Sequence, residues 1–258
     1  MGYINDLFGL DGKVAAVIGG GGFLCSAMAV GLAGSGVQVA VLDKNPEHAK
    51  KVAQDIVSDG GTAISGEVDV TDKASHENAL SLVVKTYGTI HILINGAGIN
   101  APTPFFDISI DEWNAILQTH LTGTMLGCQV FGKHMIGKTQ GSIINISSAS
   151  AGPPLSKAFA YSAAKAGLRN LTQNLAREWA PHRVRVNALR PGFFPTEWSM
   201  KNFIDKTREK AILGHTPMNR YGKPKELIGA VLWLASDAAS FVTGAEIAVD
   251  GGFTAMTI

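Results

Sequence analysis

The chain has 258 residues, 46% of them hydrophobic and 17% charged, with 22 basic residues against 21 acidic ones. This length suits one large α/β domain or two small ones, and the composition is that of a globular chain able to bury a core. A net charge of +1 without a dense basic run excludes the electrostatic footprint of a nucleic-acid or anionic-membrane binder, and no apolar run approaches the roughly 20 residues of a membrane-spanning helix.

The opening stretch MGYINDLFGLDGK lacks the charged start and apolar stretch of a signal peptide, so a cytoplasmic protein is expected. Apolar runs at Val14–Ile18, Val37–Leu42, Ile90–Ile94, Ser142–Ile146, Val184–Leu189 and Glu246–Val249 predict strands, with a weaker one at Thr62–Val68. Between them lie helical patterns over 24–35, 47–59, 73–87, 109–134, 159–180, 200–213 and 224–236. Most of the strand runs are continuously apolar rather than alternating, as strands covered on both faces require. Their alternation with helices predicts an α/β fold, a parallel sheet with helices on both sides in one domain over 1–258. The Gly- and Pro-bearing stretches 98–106, 150–156 and 190–198 read as loops after successive strands, and ligands in such sheets bind at the carboxyl ends of strands. Cys25 and Cys128 are too few for a disulfide framework and are not in metal-ligand spacing, so no metal is expected.

The first strand-to-helix turn holds four glycines, Gly19 to Gly22, then Phe23, Leu24 and Cys25. A turn that binds phosphate needs backbone able to approach it closely and amides at a helix N-terminus pointing toward it. The glycines meet the first need, and Phe23 and Leu24 can supply amides. A merely flexible turn would look the same. Asp43 ends the second strand, where an acid grips ribose hydroxyls and repels a 2′-phosphate, favouring NAD over NADP. Lys44 beside it works the other way. Asp69, after the third strand, either accepts from the adenine amino group or caps the helix ahead of Ala74. Cys25 is either a thiol made reactive by a helix N-terminus or an inert buried one.

Tyr161 and Lys165 stand four residues apart at the start of a helix, which places phenol and ammonium on one face. A neighbouring cation favours the ionised phenol that a general base needs. Ser148, ending the strand Ile143–Ser148, offers a hydroxyl to hold a carbonyl oxygen. A dinucleotide together with an acid/base for a carbinol implies hydride transfer.

The chain resembles the short-chain dehydrogenases/reductases from end to end. The matching pieces are Gly19–Leu24, Asp69, Asn95-Gly-Ala-Gly98, Ser148, Tyr161-x-x-x-Lys165, Pro191-Gly-Phe-Phe-Pro-Thr196 and Val249-Asp-Gly-Gly252. The resemblance implies a single Rossmann-like, doubly wound domain with a seven-stranded parallel sheet, and a homotetramer. It implies Tyr161 as acid/base, Ser148 as the residue that positions substrate, and Lys165 as binding the nicotinamide ribose and lowering the tyrosine pKa. Thr196 would meet the carboxamide and Asn95 would lie beside the adenosine ribose. The implied cofactor set is Gly19, Gly21, Gly22, Phe23, Leu24, Asp43, Asp69, Val70, Asn95, Gly96, Ala97, Tyr161, Lys165, Pro191, Phe194 and Thr196.

Four positions, in three places, depart from the family pattern. Ile18 replaces a threonine, Phe23 and Cys25 replace the later glycines, and His120 stands where the family has an active-site asparagine. With Ile116, Thr124 and Cys128 on one four-residue stripe, His120 should face the sheet. It either takes the asparagine's catalytic place as a neutral ring or only packs. The glycine loop running into Ser26-Ala-Met-Ala29, with Phe131-Gly-Lys133 and His215-Thr-Pro-Met218, resembles the sugar-acid oxidoreductase branch, of the fructuronate reductase (mannonate dehydrogenase) and gluconate dehydrogenase type. The expected small-molecule substrate is therefore a sugar acid or polyol, with Lys157, Lys201 and His215 as candidate carboxylate partners and Trp198 and Met200 in a candidate lid. The alternatives are a 3-oxoacyl thioester or other carbonyl substrate, and a non-catalytic NAD-binding sensor or scaffold.

Overall fold

Strand β1 (Val14–Ile18) is buried at every residue, because both of its faces are covered. Val14, Ala16 and Ile18 point into one apolar layer, while Ala15 and Val17 point into the other. The structure, a computed structural model, describes residues 2–256. Around β1 are β2 (Gln38–Asp43), β3 (Thr62–Glu67), β4 (Ile92–Asn95), β5 (Gly141–Ile146), β6 (Val184–Pro191) and β7 (Glu246–Val249). Every pairing is parallel, in the order β3-β2-β1-β4-β5-β6-β7. This is the seven-stranded, doubly wound sheet expected from the sequence. The third apolar run reads weakly because β3 is one of the two edge strands, has little continuous apolar sequence and is only half-buried.

Ten α-helices are described: α1 (Tyr3–Phe8), α2 (Phe23–Ala33), α3 (Pro46–Ser58), α4 (Lys73–Tyr87), α5 (Ile110–Leu117), α6 (Gly123–Gly137), α7 (Phe159–Trp179), α8 (Glu197–Asn202), α9 (Lys206–Gly214) and α10 (Ile228–Ala235). Met28 and Leu32 of α2, Ile56 of α3 and Val231 and Leu234 of α10 pack on one face of the sheet. Val83 of α4, Phe131 and Met135 of α6 and Ala176 of α7 pack on the other. No described helix is long and apolar enough to cross a membrane.

The helices depart from the sequence reading in four places. The segment 109–134 is not one helix: a π turn, Gln118–Thr122, separates α5 from α6. The segment 200–213 is two helices, because Thr196 caps α8 and Asp205 caps a second start at α9. The start of 224–236 is a 3-10 turn, Pro224–Leu227, and α10 begins only at Ile228. Helix α1 was not expected; it buries no residue and has no amphipathic period to announce it.

Strands β1 and β4 are neighbours although three strand-and-helix units are wound between and beyond them, so the chain leaves the sheet in opposite directions from their ends. A crevice opens at such a point. The loops that flank it approach at backbone distance. Gly19 has φ +76°, and a Cβ there would lie 2.7 Å from the Ala97 amide nitrogen. A Cβ on Gly96 would strike Cys25 Sγ, and one on Gly98 would strike the His120 ring. Cys25 therefore fills the space that Gly96 leaves open. Overpacking a tight core costs about 1–3 kcal/mol. Gly96→Ala should lower the melting temperature, and Cys25→Ala in the same chain should recover part of the loss. Thermal unfolding of the two single variants and the double variant measures this, and additive losses would break the link between the two positions.

Candidate active site

The glycine turn is held open from behind. Gly20 donates to the Leu42 carbonyl at 3.0 Å, Gly21 donates to Asp43 Oδ2 at 3.0 Å, and Gly22 donates to the Gly19 carbonyl at 2.9 Å. A Cβ on Gly20 would meet the Val17 carbonyl and Val41, and one on Gly21 would meet His48. Gly22 is the N-cap of α2, so the amides of Phe23 and Leu24 open that helix. From here a cavity of about 620 Å³ runs past Gly96 and Gly98 to Ser148, Tyr161 and Lys165, and on to Thr196. Its volume falls in the range of small-molecule and cofactor sites. The turn, the free helix start and the length of the cavity fit a nicotinamide dinucleotide.

The expected cofactor residues divide into two groups. Gly19, Gly22, Phe23, Leu24, Gly96, Tyr161, Lys165, Pro191, Phe194 and Thr196 line the cavity, whereas Gly21, Asp43, Asp69, Val70, Asn95 and Ala97 do not. Asp43 braces the turn, accepting from Gly21 through Oδ2 and from the Asn45 amide through Oδ1. Asp69 accepts from both the amide and the hydroxyl of Thr71 and pairs with Lys44 at 2.8 Å. Lys44 and the Thr71 bonds hold its carboxyl down at about 2. The cap ahead of Ala74 is Asp72 and not Asp69. The Val70 carbonyl accepts from the buried His76 ring. Asn95 turns its side chain inward, donating to Asn145 Oδ1 at 2.9 Å, and Asn145 donates on to Thr172. That chain ties β4, β5 and α7 together beneath the site.

Ser148 leaves β5 in extended conformation, and its hydroxyl accepts from the amide and hydroxyl of Ser150. Tyr161 and Lys165 lie on α7, with Lys165 Nζ 5.6 Å from the phenol ring centroid. Lys165 is 4% exposed and donates to the Ile146 carbonyl at 2.5 Å. Burial pulls its ammonium down to about 8. Burial also raises the Tyr161 pKa, against a smaller lowering by the Ser148 hydroxyl. The expected depression of the phenol by Lys165 is thus not what this arrangement produces. The ammonium lies over the ring and binds a carbonyl, and desolvation outweighs it. The phenol is protonated near neutral pH, the state that can donate to a carbonyl oxygen.

His120 sits in the π turn, 3% exposed, its ring edge-on to Tyr161 with centroids 4.9 Å apart. The π turn changes the expected four-residue register, yet Ile116, His120, Thr124 and Cys128 are all buried. Nε2 lies 2.6 Å from the Ile99 carbonyl and 3.1 Å from its amide. One ring nitrogen cannot donate and accept at once, and the shorter contact assigns the proton to Nε2. Nδ1 is then a buried acceptor without a partner. Burial, with Lys165 adding to it, holds the ring's pKa down at about 3. The Cys25 thiol is pushed up to about 12 by burial, which makes it the inert alternative and not a nucleophile.

Helices α8 and α9 roof the cavity through Trp198, Ser199, Phe203, Ile204 and Arg208. Met200 does not line it, and neither do the expected carboxylate partners Lys157, Lys201 and His215. Lys157 and Lys201 are exposed, and His215 packs edge-on against Phe253 at 4.9 Å. Arg208 is the cavity residue that the sequence reading missed.

Residues 24–254 match the family model described as Enoyl-(Acyl carrier protein) reductase. The chain is 41% identical, over an alignment of 267 residues, to the Uncharacterized oxidoreductase UxuB of Bacillus subtilis (strain 168), covering 95% of this chain and 96% of that protein. It is 37% identical to the D-threitol dehydrogenase of Mycolicibacterium smegmatis, over 96% of this chain and 95% of that one. The crystal structure of a gluconate 5-dehydrogenase from Burkholderia cenocepacia J2315, in complex with NADP and tartrate, superimposes with a TM-score of 0.94 at 33% identity, over 99% of this chain and 100% of that chain. The chain belongs to the short-chain dehydrogenase/reductase family, oxidoreductases that use a nicotinamide cofactor.

The low pKa of His120 has a consequence for stability. An unfolded histidine takes its proton near 6.5 and the folded one only near 3, so between those values the unfolded state binds more protons. The neutral ring's contribution is present above about pH 6.5 and is lost as pH falls toward 3, by up to about 1.4 kcal/mol per pH unit. His120→Asn should flatten the acid side of a plot of melting temperature against pH from 7 to 4. Activity should show no inflection from this histidine near pH 6.5. An unchanged acid-side slope in the variant would mean that the ring is not held neutral.

Proposed function

We propose that this protein is an NAD-dependent dehydrogenase that interconverts a secondary alcohol and a ketone on a sugar acid or polyol. The observation that carries the reading is the placing of Ser148, Tyr161 and Lys165 at one end of the cavity that begins at the glycine turn. The names of the relatives, a D-threitol dehydrogenase and a gluconate 5-dehydrogenase, support the substrate class.

The nicotinamide, when bound, supplies the hydride donor or acceptor. The protein's part is binding, orientation and proton transfer. Ser148 holds the carbinol or carbonyl oxygen next to the Tyr161 phenol. In reduction the phenol donates its proton to that oxygen; in oxidation the phenolate removes the carbinol proton. Lys165 steadies the phenolate and takes its share of the proton, since its own pKa, at about 8, lies close to working pH. The apolar roof of α8 and α9 limits access of bulk water, which strengthens each of these contacts.

Support for NAD over NADP comes from Asp43, whose carboxylate stands directly behind Gly21 at the end of β2. A 2′-phosphate there would face an uncompensated negative charge. The adjacent cation, Lys44, is already engaged with Asp69 at 2.8 Å. That a related gluconate 5-dehydrogenase was solved with NADP makes this the property to measure first. Fluorescence titration should give NAD a dissociation constant at least about 10-fold lower than that of NADP, the size expected of one repelled phosphate charge. Equal constants would overturn the preference.

The mechanism is tested by Tyr161→Phe, which should lower turnover by at least ~10²–10⁴-fold while leaving NAD affinity within a few-fold. The assay is oxidation of aldonates and polyols and reduction of the matching keto compounds, with 3-oxoacyl thioesters as the competing arm. Near-normal turnover by the variant would remove Tyr161 from the chemistry. Activity on thioesters alone would replace the substrate class.

A further inference from the structure

The wall of the cavity carries charge of one sign. Among the described residues that line it, Lys165 and Arg208 are the basic side chains besides the neutral His120, and no aspartate or glutamate lines it. Lys165 is fixed on the floor by the Ile146 carbonyl, beside the reacting phenol. Arg208 lies on α9, in the roof.

The guanidinium of Arg208 is positioned without an acidic partner. Nη1 donates to Ser156 Oγ at 2.6 Å and Nη2 to the Ser156 carbonyl at 3.0 Å. The Phe203 ring backs it, with the guanidinium carbon 4.3 Å from the ring centroid. Asp205, one turn earlier, caps the helix by accepting from the Arg208 backbone amide at 2.8 Å and forms no ion pair with the side chain. Nε is buried and unpartnered. Ser156 thus engages one N–H on each terminal nitrogen, Nε is enclosed, and the second hydrogens of Nη1 and Nη2 remain at the edge of the cavity. A guanidinium so placed suits a carboxylate, which accepts a charge-assisted hydrogen bond from a terminal nitrogen and supplies the negative charge that the cavity lacks.

We infer that Arg208 binds the carboxylate of the substrate, so that the cavity selects a polyhydroxy acid over the neutral polyol of the same carbon skeleton. This rests on the dehydrogenase reading above and narrows it to anionic substrates. The acid's carboxylate lies against the roof at Arg208 while its carbinol carbon lies on the floor beside Ser148 and Tyr161. The Ser156 bonds give the arginine a second effect, since the anion and the 152–158 loop share one guanidinium. An acid in the site therefore also holds α9 against that loop.

The test compares D-gluconate with D-glucitol, which differ chiefly in the carboxylate. Each is titrated calorimetrically into enzyme saturated with NADH, where both partners are reduced and no turnover consumes them. The wild-type enzyme should bind gluconate more tightly. Arg208→Gln should weaken gluconate by about 10- to 100-fold, the range of a charge-assisted contact, and change glucitol by less than about 3-fold. Arg208→Lys should restore only part of the preference, because a single ammonium cannot hold the Ser156 latch and the anion together as a guanidinium with two terminal nitrogens does. Ser156→Ala removes one latch bond but leaves the guanidinium charge, so it should keep the ratio between the two ligands. Equal weakening of both ligands by Arg208→Gln would reduce the arginine to a latch and overturn the assignment. So would a wild-type enzyme without preference for the acid. Turnover is read separately. A wild-type enzyme that oxidises neither compound nor their shorter homologues refutes the dehydrogenase reading, whereas the binding ratio decides the role of Arg208 in either case.

Discussion

The site depends on how closely two loops can lie where the sheet reverses direction. The glycine turn after β1 and the Asn95–Gly98 loop after β4 touch backbone to backbone, and no side chain fits between Gly19 and Ala97. That approach places the start of α2 at one end of the cavity. It also fixes the position of Ile99, against which the His120 ring is set. The departures from the family's glycine spacing are local trades within this contact. Where a glycine would otherwise allow helix and strand to close up, Cys25 occupies the gap and Gly96 yields the room. A pyrophosphate held at such a turn would be met by main chain, so what the turn requires is space and free amides rather than a fixed set of glycines.

The electrostatics follow from the depth at which this contact buries the reacting groups. Desolvation raises the phenol and lowers the ammonium, and so separates two groups that differ little in solution: the phenol holds its proton more firmly and the ammonium gives one up more readily. A cation as deeply buried as Lys165 is costly unless its donors are used, and the Ile146 carbonyl at 2.5 Å uses one of them. A second positive charge alongside would be costlier still. His120 is the group that could supply one, and burial together with Lys165 keeps its ring neutral throughout the range in which the enzyme works. An imidazole can then stand where the family has an amide, because both present hydrogen-bonding groups without charge.

The strands were legible in the sequence because each is covered on both faces and so reads as an unbroken apolar run; β3, at the edge, was correspondingly faint. Ser148, Tyr161 and Lys165 were legible as chemistry because their spacing and residue types are unusual together. What was hidden is what depends on contacts between distant segments. The π turn at Gln118–Thr122 has no propensity signature, since the same residues would continue an α-helix equally well. In Asp69-Val-Thr-Asp72 two acids stand near one helix start, and only the backbone path decides that Asp72 caps while Asp69 pairs with Lys44. Lys157, Lys201 and His215 were chosen as cations in loops, yet the cation in the cavity is on a helix. Asp205 was the available clue, for a helix cap in the middle of a supposed helix signals a second start that turns Arg208 toward the site.

Two of the enclosed polar groups without partners among the described residues, His120 Nδ1 and Arg208 Nε, belong to residues that line the cavity. Each such group costs about 1–3 kcal/mol relative to a satisfied one. Immediately behind the site the opposite holds, for Asn95, Asn145 and Thr172 satisfy one another in an unbroken chain across β4, β5 and α7. Those elements also carry the apolar layers that cover the sheet on that face. The arrangement separates two demands on one cavity. Rigidity comes from a fully bonded layer under the strand ends, and binding capacity comes from donors and acceptors above it that the protein leaves free. A substrate with a carboxylate brings a negative charge to a cavity whose charged lining residues are cations. The same polyhydroxy acid that offers hydroxyls to Ser148 and Tyr161 and a carboxylate to Arg208 would therefore be held most tightly with all three contacts made together.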